Sequence, residues 1–584
     1  MVVKTLLRAK LGSALFWLRS SDVIGGLGLS VVVGVASGFS AIALRWLIEN
    51  CQAAFFDGGA SFLSFLGQYY VIIIPVVGGL LAGPLIYYFA REAKGHGVPE
   101  VMEAVALKGG RIRPQVAFVK AIASALTIGS GGSAGSEGPV IQIASAAGSN
   151  VGKWFRLPDE RVKTLVACGA AGGVSAIFNA PIAGIFFALE VILGRVVGRR
   201  FAYVVISSVV ADFIARAFWG DTPVFIIPEF KIASNWEIIF FIVLGILAAL
   251  VAVAFIQLMQ RSEGFFDSPK IPAYFKPALG GLAVGLIGLY SPDLFGVGYT
   301  GIGKAMAGEF VLVTLVALLV LKVIATSFTL GSGGSGGVFA PSLFMGAMLG
   351  GIVGIASHNL FPAITGPAGA YSVAGMAAVF AAATRAPFSA ILIIVEMTGD
   401  YAIILPLMTS VVVSTILARA LKRETIYTEK LVRRGIDIRR EDIGDLMRTI
   451  TVRETMTKNF PTVSPDTSIE ELLKRFRNTT HHGFPVVDLY GNLVGIVTLE
   501  DVERFQEIQG QNLTVMDIAT KSPFVVYPDQ SLHELLNAVG EDYGRIPVVS
   551  REDRNRLVGV IRRYDIIKAY RAKLKEAPPK TRDY

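Results

Sequence analysis

Cysteine and histidine are scarce in this chain of 584 residues, and neither has the spacing of a disulfide framework or a metal cluster. Cys51 and Cys168 are the two cysteines, and both lie in apolar sequence. We therefore expect buried, reduced thiols and no disulfide framework. The histidines are scattered without the spacing that a metal-binding cluster needs. They are His96, His358, His481, His482 and His533. The sequence predicts no metal site and no required cofactor.

Charge is scarce as well, since 17% of the residues are charged and 53% are hydrophobic. No charged residue occurs from Gly58 to Ala90, and apolar runs such as Ile238 to Ile256 recur up to about Ala418. This composition predicts an integral, multi-pass membrane protein. Because many runs are shorter than the roughly 20 residues that a perpendicular span needs, we expect tilted and interrupted helices.

Basic residues flank the apolar region at both ends, and the formal net charge is +9. Lys4, Arg8, Lys10 and Arg19 precede it, and a basic stretch from Lys422 to Arg440 follows it. The sequence shows no cleavage site of a secretory signal. The positive flanks predict that both termini are cytoplasmic, with the protein in the plasma (inner) membrane. Nucleic acid is not expected as a partner, because lysine and arginine are not gathered with aromatic residues in one stretch.

Two glycine-rich strings repeat one pattern. GSGGSAGSEGP (Gly129–Pro139) and GSGGSGGVFAP (Gly331–Pro341) match at a constant spacing of 202 residues, and Lys120 and Lys322 match upstream of them. A second pair, NAPIAGIFFALE and RAPFSAILIIVE, follows in the same order at a spacing of 206 residues. The apolar region is therefore an internal duplication. Glycine strings that interrupt apolar sequence are typical of transporters with broken helices at an ion site.

The glycine strings are suited to hold an anion. Gly and Ser let backbone N–H groups converge on one point, and a helix that begins just beyond adds its positive dipole end. A phosphate-binding P-loop is excluded, because neither string ends in Gly-Lys-Ser/Thr. Close helix packing through small residues is the alternative explanation of these glycines.

The two strings differ at one informative position, because Glu137 in the first lies opposite Phe339 in the second. An ionisable residue inside an apolar segment is a functional candidate. A carboxylate at a helix N-terminus resembles the anion that such a site binds, so it can occupy the site and leave when protonated. Glu137 is thus a candidate gate. The alternative is a helix N-terminal charge that only interacts with the dipole.

Four strings in family order resemble the chloride channel (CLC) family of anion channels and proton-coupled exchangers. They are GHGVP (Gly95–Pro99), GSEGP (Gly135–Pro139), GVFAP (Gly337–Pro341) and Tyr427 after the last apolar run. The resemblance implies two inverted repeats of broken and tilted helices, a homodimer with one pore per subunit, and chloride or a similar small anion as substrate. It implies that Glu137 is the gating glutamate. The implied anion-binding residues are Gly95, His96, Gly97, Gly135, Ser136, Gly138, Gly337, Val338, Phe339, Ala340 and Tyr427.

Two positions depart from the family pattern. His96 stands where a small residue is usual; it could narrow the mouth, donate to the anion or swing away, or pack with only its backbone near the ion. Val191 stands where the exchangers carry the glutamate that relays protons from the inner side, and valine cannot carry a proton. The departure at Val191 favours a passive channel. A coupled exchanger is the alternative, and we expect Glu190 and Glu396 to cap or tie helices.

The C-terminal part contains a smaller duplication. FPVVDLYGNLVGIVTLEDV and IPVVSREDRNRLVGVIRRYDI each read as two apolar strands followed by a helix start. This pattern resembles a pair of CBS modules, which implies an adenine nucleotide (ATP, ADP or AMP) as ligand. Thr498 and Asp501 match the ribose and phosphate motif, whereas Arg562 precedes Asp565 in the second copy. A tail that only strengthens the dimer is the alternative.

The predicted fold class is an all-α polytopic membrane domain plus a cytoplasmic α/β CBS pair. The domains are a cytoplasmic segment 1–20, a membrane domain 21–430 with halves at about 21–215 and 235–430, a linker 431–450, CBS modules 451–508 and 509–572, and a tail 573–584. The predicted function is a chloride channel gated by Glu137 and modulated by the CBS modules. The alternatives are a chloride/proton exchanger and, less favoured, a membrane-anchored nucleotide sensor. No enzyme is expected, because no catalytic constellation emerges.

Overall fold

The computed structural model describes residues 22–194, 201–221, 223–225, 233–267, 271–436, 447, 449–479, 483–505, 513–539 and 544–576. The chain divides into two compact units, Met1–Ile438 and Arg439–Tyr584. The predicted N-terminal segment 1–20, most of the linker 431–450, the end of the tail and the pair His481–His482 lie outside the described residues.

Helices joined by loops and turns make up the described residues of the first unit. Its α-helices are α1 (Asp22–Gln52), α2 (Gly59–Phe62), α3 (Tyr70–Phe89), α4 (Val98–Leu107), α5 (Pro114–Gly129), α6 (Glu137–Trp154), α7 (Asp159–Phe178), α8 (Pro181–Phe187), α9 (Phe201–Trp219), α10 (Ile238–Phe266), α11 (Lys276–Gly288), α12 (Tyr299–Met306), α13 (Leu312–Gly331), α14 (Phe339–Leu360), α15 (Ala368–Thr384), α16 (Pro387–Thr398), α17 (Ile404–Leu421) and α18 (Thr428–Arg433). A π-helical turn, Ala188–Leu193, continues α8.

Several of these helices are long and apolar, and the helical path is interrupted at both glycine strings. Among the described residues, 8 helices are long and apolar enough to cross a membrane, and others such as α5 and α15 are shorter. Both glycine strings break the helical path, since α5 ends at Gly129 before α6 begins, and α13 ends at Gly331 before α14 begins. The expected all-α membrane unit with broken helices is confirmed.

Small residues bring helix backbones together at matching places in the two halves. A side chain on Gly148 would collide with the α7 backbone, and one on Gly169 would collide with the α6 backbone. Gly350 and Gly375 play the same part between α14 and α15. Close approach of this kind drives helix association in lipid, where the hydrophobic effect between helices is absent. The two tightly packed helix pairs form a rigid frame around the segments that precede α6 and α14.

The second unit is built from two short hairpins and their helices. Strand β1 (Gly483–Val487) pairs antiparallel with β2 (Leu493–Thr498), and β3 (Arg545–Val549) pairs antiparallel with β4 (Leu557–Arg562). The helices are α19 (Val452–Thr455), α20 (Ile469–Arg477), α21 (Leu499–Phe505), α22 (Val515–Ile518), α23 (Leu532–Ala538) and α24 (Arg563–Glu576). The expected α/β unit is confirmed.

The two modules of this unit exchange their opening segments. Ile450 and Val452, at the start of the first module, are buried in the apolar core formed by the second hairpin. Val515 and Ile518, at the start of the second module, are buried in the core formed by the first hairpin. Each core therefore needs residues from both modules, so the pair folds as one unit.

Candidate functional site

The two glycine strings meet in the interior of the first unit. Gly135 N–H donates to Gly337 O (2.9 Å) and Gly337 N–H donates to Gly135 O (2.5 Å), as an isolated antiparallel bridge. Helices α6 and α14 begin directly after the buried residues Ser136 and Val338. Because the first N–H groups of a helix have no partner within the helix, two positive helix ends converge here.

The loop of Gly95, His96 and Gly97 joins the same point. Gly95 N–H donates to Gly334 O (3.0 Å), and Gly336 N–H donates to Gly95 O (3.3 Å). Gly95 and Gly97 have φ values of 80° and 83°, a left-handed region that side chains disfavour. A side chain on Gly138 would collide with the His96 carbonyl. Three segments that are distant in sequence thus come together as the sequence predicts.

Two buried lysines, Lys120 and Lys322, bind carbonyl groups of loops beside the site. Lys120 Nζ donates to Ala93 O (3.1 Å) and Gly95 O (2.6 Å). Lys322 Nζ donates to Leu294 O (3.1 Å) and Gly296 O (3.2 Å). Each ammonium group is therefore bound to carbonyl oxygens. Backbone amides, and not these cations, are left to stabilise an anion between the glycine strings.

The lysine contacts reveal a second loop that the sequence reasoning missed. Gly296, Val297 and Gly298 repeat Gly95, His96 and Gly97 at a spacing of 201 residues. Gly296 and Gly298 also have positive φ values, 55° and 85°. The Gly-x-Gly pair upstream of the matched lysines was the signal that could have found this loop. This loop leads into α12, whose first residue, Tyr299, lies at the site.

The carboxylate of Glu137 lies between the two glycine strings and is fully buried. The Tyr299 hydroxyl donates to its Oε1 (3.3 Å). Its Oε2 has no hydrogen-bond partner among the described residues and lies so close to Gly135 and Gly337 that a side chain on either would meet it. The backbone amide of Ala340, in the first turn of α14, also faces the carboxylate. A carboxyl group thus occupies the point where the helix ends converge.

Tyr427 and His96 form a second face of the site. Their rings lie 5.8 Å apart, and both side chains are buried. His96 Nδ1 has no hydrogen-bond partner among the described residues. The ring of Phe187 packs edge-on against Tyr427, with centroids 6.5 Å apart. Phe339, which replaces the glutamate in the second repeat, packs against Phe178 at 4.7 Å.

The helix that follows Tyr427 is tied to the His96 loop. Lys430, in α18, donates to Lys94 O (3.1 Å) and to Glu100 Oε1 (2.7 Å), and both Lys430 and Glu100 are buried. Burial of an ion pair is costly unless its geometry is good, so this short contact fixes α18 against α4. Helix α18, which follows Tyr427, is therefore held against the His96 loop of the site.

A cavity of about 840 Å³ leads to the Tyr299 side of the site. Its lining includes Ser136 and Tyr299, which adjoin Glu137, and the charged residues Arg45, Glu49 and Arg216. Charges of both signs therefore line the cavity, which extends to residues next to the Glu137 carboxylate.

Val191 lies in the π-helical turn that continues α8. Its side chain is buried and apolar. The preceding residue, Glu190, accepts hydrogen bonds from the backbone N–H (2.9 Å) and hydroxyl (2.7 Å) of Ser389. Glu190 therefore caps a helix, as expected.

Thr498, Asp501 and Asp565 lie in the second unit. Asp501 Oδ2 accepts from the backbone N–H (2.8 Å) and hydroxyl (2.7 Å) of Thr498 at the start of α21. Asp565 pairs with Arg562 through two 2.8 Å contacts and raises the pKa of that guanidinium. Burial lowers the pKa of Arg545, whose guanidinium donates to Gly483 O (2.7 Å) and so joins the two hairpins.

Comparison with known proteins gives matches over both units. A family model described as voltage gated chloride channel matches residues 78–419, and a CBS domain model matches 452–507 and 515–572. A putative chloride channel protein ClcB-like from Ralstonia nicotianae is 34% identical over 418 residues, which cover 70% of this chain and 97% of that protein. An H(+)/Cl(−) exchange transporter ClcA from Vibrio parahaemolyticus is 34% identical over 380 residues, covering 62% of this chain and 79% of that protein. The crystal structure of a slow cyanobacterial Cl−/H+ antiporter superposes with a TM-score of 0.65 at 28% identity, covering 70% of this chain and 97% of that one.

Proposed function

Because the chain belongs to the voltage gated chloride channel family, whose activity is anion transport, we propose that it exchanges chloride for protons across the membrane. The observation that carries this proposal is the naming of its relatives. Proteins 34% and 32% identical to it are named H(+)/Cl(−) exchange transporters, and a 28% identical structure is that of a Cl−/H+ antiporter. This revises the sequence-based preference for a passive channel.

The position of Glu137 supports the same proposal. Its carboxylate lies where the helix N-termini converge, so it competes with a chloride ion for one set of backbone amides. A proton that neutralises the carboxylate removes its attraction to the positive helix ends. Protonation and chloride binding are thereby linked through one residue. Glu137 is the gate of this proposal, and Tyr427 and His96 form the opposite face of the anion site.

Val191 sets the limit on coupling. A valine cannot accept a proton, and Glu190 beside it is engaged as a helix cap. Protons from the Tyr427 side would then reach Glu137 through transient water rather than a carboxylate at position 191. We expect slower or less complete proton coupling than a relay carboxylate would support.

The test uses purified full-length protein in lipid vesicles with equal chloride on both sides and the voltage clamped at zero by potassium and valinomycin. A pH difference is imposed across the membrane. In an exchanger the proton gradient drives net chloride movement although the chloride concentrations are equal. The direction of this movement reverses when the pH difference is reversed. No net chloride movement, in vesicles that do show chloride flux down a chloride gradient, would establish the passive channel instead.

A passive channel is the second candidate, favoured by Val191 and by the relative named chloride channel protein. It shares the anion site and the gate with the first. The same vesicle experiment decides between them, since at zero voltage and equal chloride a pH difference drives no net chloride movement through a pure channel.

We propose further that the protein is a homodimer in the plasma (inner) membrane with both termini cytoplasmic. The family resemblance and the basic flanks of the apolar region support this arrangement. Mass measurement of detergent-solubilised protein tests the dimer, with a monomer mass as the contrary result. Protease cleavage of the C-terminal unit only in inside-out vesicles tests the orientation.

For the second unit we propose an adenine nucleotide ligand near Thr498 and Asp501. The Thr-x-x-Asp motif supports this proposal. In this structure the Asp501 carboxylate accepts a hydrogen bond from Thr498, and the Asp565 carboxylate accepts one from Arg562. Calorimetric titration of the full-length protein with ATP, ADP and AMP is the test. Asp501→Asn should weaken any binding at least tenfold, and equal binding by this variant would contradict the assignment.

A further inference from the structure

The two halves of the membrane unit depart from each other at two positions that face one another. Glu137 replaces the phenylalanine found at the matching position 339, and Tyr299 replaces the valine found at the matching position 98. In the folded protein the glutamate of the first half and the tyrosine of the second are hydrogen bonded, with Tyr299 Oη 3.3 Å from Glu137 Oε1. The polar substitutions in the duplicated halves therefore form one pair.

Tyr299 is held firmly enough to direct its hydroxyl. Phe225 packs edge-on against its ring, with centroids 5.5 Å apart and an interplanar angle of 88°. Its backbone follows Gly298, and Lys322 fixes the same loop through the Gly296 carbonyl (3.2 Å). The ring lines the cavity on one side and contacts the carboxylate on the other.

We infer that Tyr299 is a positioning residue for the Glu137 gate, holding the ionised carboxylate between the glycine strings. The inference rests on the proposed role of Glu137. A hydroxyl that donates to a carboxylate in a water-poor site stabilises the ionised form more than the protonated form. Tyr299 thus sets the pH at which the gate is released and the time that the carboxylate spends in the site.

The other titratable groups that face the carboxylate do not replace this contact. Lys322 of α13 acts on Glu137 only through its charge, since its ammonium group is bound to two carbonyl oxygens. Tyr427 acts on it from the opposite face. Arg45 of α1 lines the same cavity as Tyr299 and pairs with Glu49. Among these groups and within the described residues, Tyr299 alone donates a hydrogen bond to the Glu137 side chain.

The test is the pH profile of chloride flux in vesicles for Tyr299→Phe. Loss of the donor should move the midpoint of acid activation upward by about one pH unit, because a hydrogen bond to a charged group is worth roughly a tenfold change in proton affinity. In a Glu137→Gln background the same change should have no effect on the pH profile.

Tyr371→Phe is the matched control. Tyr371 donates to Glu237 Oε1 at 3.0 Å, so it is also a tyrosine bound to a carboxylate, but it is fully buried and lies outside the anion site. Its loss should leave the midpoint unchanged. An equal shift in this control, or an unshifted midpoint in Tyr299→Phe, would overturn the inference.

A second variant guards against misfolding of the first. Phe225→Leu keeps the Tyr299 hydroxyl but removes its aromatic support, so the midpoint should move in the same direction by a smaller amount. If Glu137→Gln leaves the wild-type pH profile intact, the proposed gate itself fails. If Glu137→Gln flattens the profile while Tyr299→Phe and Phe225→Leu do nothing, only the role of Tyr299 fails.

Discussion

Glu190 and Glu396 each cap the helix that carries the other. Glu190 accepts from the N–H groups of Phe388 (3.4 Å) and Ser389 (2.9 Å) at the start of α16, which carries Glu396. Glu396 accepts from Ile182 (3.0 Å) and Ala183 (2.7 Å) at the start of α8, whose π-helical continuation carries Glu190. The two copies of the duplicated segment are thus antiparallel neighbours, joined through their own helix ends.

Glu190→Ala and Glu396→Ala should each destabilise the membrane unit by about 1 to 2 kcal/mol, because each leaves two N–H groups in the first turn of a helix without their acceptor. Thermal unfolding in detergent measures the effect as a lower midpoint. Glu49→Ala is the control, since Glu49 forms an exposed pair with Arg45 and should have little effect. Equal midpoints for all three variants would show that the reciprocal caps contribute nothing.

The sequence was enough to predict that the two glycine strings meet and that Glu137 lies beside them. The duplication and the family motifs mark the same residues. The partner of each cap could not be predicted, because the antiparallel contact of α8 and α16 is a tertiary event. Tyr299 was missed since its loop matches the His96 loop in only two glycines. The exchange of opening segments between the two modules is also invisible to local patterns, because Val452 and Val515 look like ordinary core residues of their own modules.

Lys120→Met and Lys322→Met should have different consequences, although both remove a buried donor from two carbonyls and should each cost about 2 kcal/mol. Lys322 supports the Tyr299 loop, so its loss should move the flux–pH midpoint upward, as in Tyr299→Phe. Lys120 supports the His96 loop, so its loss should weaken chloride affinity instead. Flux measured against both pH and chloride separates the two effects, and identical profiles would contradict the assignment.

His96→Ser should alter the choice among anions. The imidazole lies 5.8 Å from the Tyr427 ring, on the face of the site that the two rings form. A smaller side chain should raise nitrate and iodide flux relative to chloride by at least about twofold, because larger ions gain room. His358→Ser, in the last turn of α14, is the control. Unchanged flux ratios would mean that the ring does not line the anion path.

Glu429 should make stability depend on pH. It lies in α18, after the last long apolar helix, where burial and then the nearby Glu263 raise its pKa from 4.5 to about 7. A raised folded pKa means that the folded state holds the proton more tightly, so this contribution is full below about pH 4.5 and lost as pH rises through 7. Glu429→Gln should therefore raise the unfolding midpoint at pH 8 and leave it unchanged at pH 4. The reverse pattern in thermal unfolding would be inconsistent with a buried carboxyl.

The most direct measurement is anomalous diffraction from bromide-soaked crystals of the wild-type protein and Glu137→Gln at pH 8. If these backbone amides bind the anion, the variant gains a bromide peak where the wild-type carboxylate lies, within hydrogen-bond distance of backbone amides between residues 135–138 and 337–340. A variant without that peak, or with bromide bound instead to the ammonium groups of Lys120 or Lys322, would contradict it.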